Sequence, residues 1–425
     1  MNRTRPLKLF RTLAFRLLVC GVCFWVVVGM EARAEEGNPR LYRLQEILDL
    51  ALTYHPAIEL GKGIIDEKTG EDIIAHSYPN PSFHVQSGYG KVRDPRGTSL
   101  IERYFTLSQS LEWPGMRTAR QQAAEAEVRS AQARLQEMHM NVTARVKRTF
   151  YELLLADTLA DLAFRLLNTV TSLEDVVKRR VESGEAPPFE LVKVTVESLQ
   201  AQKQVSHTKG KVRTIKAALH QLTAGNLLEA FAIQGDFKSA KADLNERRLT
   251  EEAFQHHPEI QKFQQLLEVA NARYNQEQQA RVPNVIISGT YQRDAGHEGL
   301  TGGLSLPLPL WNQRQGEIAK ALGLRRQAEA NLRQAQISLK RGITEYVHMS
   351  RTASVHIHTF EEGLLKQAKE AVRIARTSFQ FGEASLLDVL DAQRVLWHTF
   401  QGYAHARFDL AIALTELERL AGKDL

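Results

Sequence analysis

Long helices are the first structures predicted by the spacing of apolar residues along the chain. Residues 116–183 contain neither glycine nor proline, and one helix over this range would be about 100 Å long at 1.5 Å per residue. Apolar residues recur here at three- and four-residue intervals, which is typical of helices that lie side by side. The positions are Leu159, Leu162, Leu166, Val170, Leu173, Val177 and Val181. The pattern predicts an elongated, mostly α-helical protein.

Four shorter segments alternate apolar and polar residues, as a β-strand with two different faces does. They cover residues 82–92 and 101–112 in the first half of the chain, and 284–293 and 301–311 in the second half. Each segment is about 10 residues long, which is enough for a tilted strand to cross a bilayer. The fold class expected is therefore mostly α with a four-stranded antiparallel β contribution.

The two halves of the chain repeat each other at an offset of about 200 residues. The matching segments are His55-Pro56 and His257-Pro258, Trp113 and Trp311, and Gly184-Glu185-Ala186 and Gly382-Glu383-Ala384. We expect a tandem duplication with a first repeat at 35–232 and a second at 233–425. Each repeat reads as a helix, two strands and then long helices.

Residues 1–34 have the composition of a cleaved secretory signal. Five basic residues precede an apolar run at 17–30, and Ala32-Arg33-Ala34 offers the small residues that a signal peptidase recognises. The alternative is a retained transmembrane anchor, although the run is shorter than a spanning helix requires. Cys20 and Cys23 lie inside this run, so the mature chain is expected to contain no cysteine.

Composition and charge exclude several classes of function. Only 7% of residues are aromatic and only 13 are proline, which excludes a compact all-β or disulfide-rich protein. Removal of 1–34 leaves 49 basic and 48 acidic residues, so the high isoelectric point gives no support to a nucleic-acid partner. No H-E-x-x-H motif, P-loop or ordered G-x-G-x-x-G motif occurs. We expect neither an enzyme nor a cofactor.

The histidines suggest a metal site only weakly. His356 and His358 are two positions apart and point to different sides of a helix, although His348 and His356 could share a face. We therefore expect solvated or packed histidines and no metal site. His55 and His257, each followed by proline, are expected to be helix-turn residues.

Four strands in one chain are too few to close a barrel. In lipid an open sheet edge leaves backbone groups unpaired at a cost of several kcal/mol each. Several copies must therefore share a barrel: two copies would give eight strands, and three would give twelve with room for water. The strand pattern predicts a pore that is continued by a ring of long helices.

Four segments resemble the TolC-like outer-membrane channel proteins of tripartite efflux pumps and type I secretion. These are the two His-Pro pairs, the strand-to-helix segment 110–117, and residues 381–392. The last is similar to the family signature Y-x-x-G-x-x-x-x-x-D-V-L-D-A, with Phe379 in place of the tyrosine. The strand-to-helix segment most resembles the CzcC and CusC branch, which serves heavy-metal pumps.

The resemblance implies a homotrimer in the outer membrane. It implies a twelve-stranded β-barrel continued by a long periplasmic α-helical barrel, a periplasmic adaptor protein and an inner-membrane pump of the RND type. The function implied is a passive exit duct for heavy-metal efflux. Two alternatives stay open: a type I secretion or drug-efflux channel, and a periplasmic coiled-coil scaffold without a pore.

The repeat and the resemblance together predict roles for specific residues. Trp113 and Trp311 are expected at the membrane–water boundary, or else as helix-packing anchors. Adaptor-docking tips are implied at Gly184, Glu185, Ala186, Gly382, Glu383 and Ala384, with Arg180 and Arg376 on the preceding helical turns. Asp388 and Asp391 are three residues apart, so both carboxylates lie near one helix face and could line the tunnel aperture. The alternative is that they cap the helix.

Overall fold

The computed structural model describes residues 40–91, 99–239, 244–294 and 297–423. The expected signal at 1–34, with Cys20 and Cys23, therefore lies outside the described residues. The prediction of a mostly helical chain with one four-stranded antiparallel sheet is confirmed. None of the described helices is both long enough and apolar enough to cross a membrane.

The described residues of the first half form four helices and four strands. They are β1 Arg40–Arg43, α1 Leu44–Tyr54, α2 Pro56–His76, β2 Ser82–Lys91, β3 Ser99–Leu111, α3 Pro114–Glu182, α4 Pro188–Leu222 and β4 Phe231–Gln234. Strand β1 pairs in parallel with β4, and this small sheet packs beside the middle of the long helices. Helix α3 has 69 residues and is therefore about 100 Å long.

The described residues of the second half follow the same order of elements but form no counterpart of the short parallel strands. Its elements are α5 Glu246–His256, α6 Pro258–Gln279, β5 Val285–Asp294, β6 His297–Ser305, α7 Gln315–Thr359, α8 Leu365–Gln380 and α9 Leu386–Ala421. A π-helical turn, Phe360–Leu364, joins α7 to α8. Together these three segments occupy the place that the unbroken helix α3 has in the first half.

The larger sheet has the strand order β2-β3-β5-β6, with every neighbouring pair antiparallel. Its central pair, β3 and β5, joins the two repeats. Strand β6 ends at Ser305 rather than near residue 311 as expected, because Pro307 and Pro309 have no N–H to donate to a sheet.

Helix packing around the middle of α3 forms the largest apolar core. Phe150 and Leu153 of α3 are almost fully buried against Ile47 of α1 and Leu219 of α4. A second core surrounds Ile343 of α7. Burial of side chains this large stabilises the fold by roughly 1.5–3 kcal/mol each.

Two buried carboxylates near the end of α9 join it to α3. Glu418 accepts hydrogen bonds from Lys147 and Lys238, and Glu416 accepts from Arg148 and Arg419. Burial alone would raise the pKa of Glu416, but these two arginines hold it below its ordinary value. Removal of one partner would leave a buried charge, which is costly.

The two His-Pro pairs start helices α2 and α6 in the same way. Nδ1 of His55 accepts the N–H of Ala57 at 3.1 Å, and Nδ1 of His257 accepts the N–H of Glu259 at 3.2 Å. The proline that follows needs no hydrogen-bond partner at the first helical position. Nε2 of His257 lies 3.2 Å from the carbonyl oxygen of Arg419, so its neutral ring carries the proton on Nε2.

The π-helical turn packs on a glycine of α9. Phe360 lies over Gly402, where a Cβ would come within 2.9 Å of the ring. Beside it, the hydroxyl of Tyr403 donates to Glu361 at 2.7 Å. The glycine therefore permits the close approach of two long helices at this point.

We expect acid to destabilise the fold through His257. Burial lowers the pKa of this ring to about 4 from an ordinary value of 6.5. The buried neutral ring contributes its full stabilisation of the fold above pH 6.5. This stabilisation is lost as the pH falls toward 4, because the histidine of the unfolded chain has the higher pKa and binds a proton first. The loss in free energy of unfolding is about 3 kcal/mol. Denaturant unfolding followed by circular dichroism at pH 7 and pH 4 measures it.

The substitution His257→Asn keeps an oxygen that can cap α6 but removes the titrating ring. It should flatten the pH dependence. The matched control is His55→Asn, because the His55 ring is only partly buried and should contribute less. Equal acid sensitivity of wild type and His257→Asn would contradict the assignment.

Candidate transport duct

One face of the larger sheet is largely apolar in the three rows nearest the helices. Residues opposite one another on neighbouring strands share a face. The apolar rows are Val85, Phe105, Tyr291 and Leu300, then Phe83, Leu107, Gly289 and Gly302, then Gln109, Ile287 and Leu304. Leu300 is 81% exposed and Phe83 is 66% exposed. The ring centroids of Phe83 and Phe105 are 6.4 Å apart. Within one chain nothing covers this face among the described residues.

The opposite face of the same sheet is rich in hydroxyl groups. Its rows are His84, Thr106, Thr290 and Thr301, then Ser82, Ser108, Ser288 and Gly303. The hydroxyl oxygens of Thr106 and Thr290 are 2.9 Å apart, and those of Ser82 and Ser108 are 2.8 Å apart. This face can lie against water, whereas the apolar face suits lipid.

The two matched tryptophans lie where the sheet meets the helices. Trp113 stands between β3 and α3, is 46% exposed, and accepts the N–H of Met116 through its carbonyl oxygen. Trp311 follows β6 on the way to α7 and is 90% exposed. A ring this exposed makes little contact within its own chain, so a packing anchor describes Trp311 poorly.

The two Gly-Glu-Ala segments adopt the same turn. Gly184 has φ +80° and Gly382 has φ +77°. The N–H of Glu185 donates to the carbonyl of Arg180 at 2.8 Å, and the N–H of Glu383 donates to that of Ser378 at 2.8 Å. This is a Schellman motif, which ends a helix with a left-handed residue and strongly favours glycine. Neither glycine has an atom near its would-be Cβ, so only its backbone conformation demands glycine.

Both turns stand at one end of the helices and share an apolar core. Val177 of α3, Val194 of α4 and Val389 of α9 are fully buried there around Phe379. The guanidinium carbon of Arg180 lies 4.9 Å from the centre of the Phe379 ring. The residue that replaces the family tyrosine thus packs in the core, while Arg376 is exposed.

Sequence reasoning missed the exposed apolar residues at this end. Phe381 is 77% exposed and Phe189 is 64% exposed. They flank the turns at Gly382 and Gly184. For Phe381, the signal available in the sequence was an aromatic residue next to a helix-ending glycine, where a polar residue would be better solvated. Phe189, in the first turn of the following helix, had no such signal.

The two aspartates start α9 and have different partners. Asp388 Oδ2 accepts the backbone N–H of Ser385 at 2.9 Å and its hydroxyl at 2.7 Å, and these bonds lower the pKa of Asp388. Asp391 lies 3.9 Å from Arg394, and 67% of its side chain is exposed. Asp388 therefore completes a capping box with the N-cap residue Ser385, which is the capping role stated above as the alternative. Its side chain is nevertheless exposed.

The histidines do not converge. His348 and His356 are exposed, and Nε2 of His358 lies 2.8 Å from Glu362 of the following π-helical turn. Across residues 40–91, 99–239, 244–294 and 297–423, no three His, Cys, Asp or Glu side chains are placed to hold a metal ion. His55 and His257 use ring nitrogens to cap helices, as described above.

Comparisons with known proteins agree with this architecture. A family model described as outer membrane efflux protein matches residues 74–225 and 249–423. The cobalt-zinc-cadmium resistance protein CzcC of Cupriavidus metallidurans is 24% identical over 382 residues, 89% of this chain and 90% of CzcC. The outer membrane protein TolC of Vibrio cholerae is 20% identical over 375 residues, 80% of this chain and 82% of TolC.

Solved channel structures share the fold. A crystal structure of CusC aligns with a TM-score of 0.79 at 16% identity, covering 89% of this chain and 92% of that chain. The family match spans both repeats of the described chain, and its members are efflux channels rather than enzymes. The chain therefore belongs to the outer membrane efflux protein family.

Proposed function

We propose that three copies of this chain form the passive exit duct of a tripartite heavy-metal efflux system. A twelve-stranded barrel crosses the outer membrane, and the long helices continue it as a tunnel in the periplasm. An RND-type pump in the inner membrane supplies the energy through a periplasmic adaptor, and the duct itself carries out no chemistry.

The observation that supports this most is the two-faced sheet with open edges. Strands β2 and β6 are the sheet edges, and their outward N–H and C=O groups would be unpaired in lipid. Pairing β6 of one copy with β2 of the next satisfies both edges. Three copies then place twelve apolar strand faces on lipid and twelve hydroxyl-rich faces on water. A scaffold without a pore has no use for the apolar face.

The heavy-metal substrate is supported by similarity to CzcC, a cobalt-zinc-cadmium resistance protein that matches along 89% of this chain. Type I secretion and drug efflux stay as alternatives, because solved structures at 16% identity share only the fold. A passive duct needs no metal ligands of its own.

The purified mature protein should be a detergent-requiring trimer from the outer-membrane fraction. Native mass spectrometry should show three chains per particle. Boiling in dodecyl sulfate should convert a fast-migrating species to monomer. The physical reason is that the barrel closes only when every strand edge is paired. A monomer released with the soluble periplasmic fraction would support the scaffold alternative and refute the duct.

Docking of the adaptor is assigned to the two turns at Gly184–Ala186 and Gly382–Ala384. The exposed rings of Phe189 and Phe381 provide an apolar surface beside them. An exposed apolar group at the end of a helical hairpin is a usual anchor for a partner helix.

The substitutions Gly184→Leu and Gly382→Leu should leave trimers intact and abolish metal tolerance. Each puts a side chain at positive φ, which costs about 1–2 kcal/mol locally, and distorts the turn without reaching the barrel. Growth on zinc, cobalt and cadmium measures the effect in cells with an intact pump and adaptor.

The control is Gly63→Leu in helix α2. Gly63 is also exposed with open space around it, but its φ is not positive. This variant should retain tolerance. Full tolerance in the two turn variants would refute the docking assignment.

The periplasmic mouth is assigned to Asp388 and Asp391. The matching positions of the first repeat are Glu190 and Lys193, whose charges cancel. Each chain would thus bring a net charge of about −2 to the mouth from these two aspartates, and threefold symmetry would triple it. A confined ring of one sign attracts cations.

Planar-bilayer conductance of the isolated trimer should be blocked by di- and trivalent cations added from the periplasmic side. The double variant Asp388→Asn with Asp391→Asn should relieve the block. It removes both charges, while the amide introduced by Asp388→Asn keeps an oxygen that can cap α9. The control is Glu362→Gln, an exposed acid away from the mouth. If cations block the conductance of the double variant as strongly as that of the wild type, the aperture assignment is refuted.

A further inference from the structure

A pair of arginines interrupts the apolar face of the sheet. Arg103 of β3 lies directly opposite Arg293 of β5, in a row that continues to Ser87 on one side and Glu298 on the other. The next row of the same face is apolar and contains Phe105 and Tyr291. Both arginine side chains are exposed.

The charges in this row do not balance within the described chain. Arg293 Nε is 3.1 Å from Glu298 Oε1, and both side chains are more than half exposed. The row therefore holds two guanidinium groups and a single carboxylate. Like charges directly opposite on neighbouring strands are destabilising, so the row favours an additional anion.

The position of this row along the membrane normal suggests which class of anion binds there. Ten residues separate Arg103 from Trp113, and at about 3.4 Å per residue with a tilt near 40° they span about 25 Å along the membrane normal. This equals the height of a barrel's apolar band. If Trp113 lies at the periplasmic boundary, Arg103 and Arg293 lie at the opposite headgroup level.

We infer that Arg103 and Arg293 bind the phosphate group of a phosphorylated outer-leaflet lipid, whose acyl chains pack on the apolar rows below. The inference rests on the proposed barrel. Guanidinium groups match phosphate oxygens with paired hydrogen bonds, and Phe105, Tyr291 and Leu300 continue the surface toward the acyl region. A lipid can fill both the guanidinium site and the apolar surface beside it, whereas free phosphate can fill only the guanidinium site.

The test is native mass spectrometry of the full-length trimer after incubation in phosphatidylcholine vesicles with and without lipid A. Wild type should retain lipid A over phosphatidylcholine. The double variant Arg103→Gln with Arg293→Gln should lower that retention about tenfold, as loss of a charge-assisted hydrogen bond does. Glu298→Gln should raise retention, since it removes the competing carboxylate.

Two controls separate the possible failures. Arg165→Gln, an exposed helix arginine paired with Asp161, should retain lipid A like wild type, and excess inorganic phosphate should not displace the lipid. Displacement by phosphate alone, or a double variant that retains lipid A fully, would refute the lipid site. In that case the spectrum still contains trimers, whereas absence of trimers would refute the duct and this site together.

Discussion

Backbone hydrogen bonding at the two sheet edges is the constraint on which the architecture depends. The strand order β2-β3-β5-β6 leaves two edges in a single chain, and strands with exposed apolar faces cannot leave such edges unpaired in lipid. Within one chain, β3 pairs with β5, so the hairpins of the two halves form one sheet and only its two outer edges remain open. In the proposed trimer, these two edges, β2 and β6, pair with those of the neighbouring copies.

The helices extend the same duplication away from the sheet. In each repeat a histidine-capped helix precedes the strand hairpin, and a Schellman turn separates the long helical segment after the hairpin from the last helix. The repeats differ where α3 is continuous and its counterpart contains a π-helical turn that packs on Gly402. The two halves are therefore similar in connectivity but unequal in local packing, and this inequality extends to the charges at their tips.

Charge is distributed according to environment. Buried Glu416 and Glu418 each have two cationic partners, because an unpaired carboxylate in the core would be costly. At the tip, Asp388 and Asp391 stay exposed and can act on the surroundings. On the same face of the sheet, Arg103 and Arg293 lie in the half of their strands that is farther from the helices. In the proposed barrel this position is away from the membrane midplane, where an arginine would cost most.

The sequence by itself determined the helices, the alternating strands, the internal repeat and the two glycine turns, because each depends on local periodicity or on a residue's own φ preference. It placed the end of β6 too late, since alternation continues through Pro307 and Pro309 although neither can donate to a sheet. Only the tertiary structure decided that Phe379 is buried against Arg180 and that Arg103 faces Arg293. These depend on register and on contacts between side chains, many of them far apart in the chain, which no local pattern encodes.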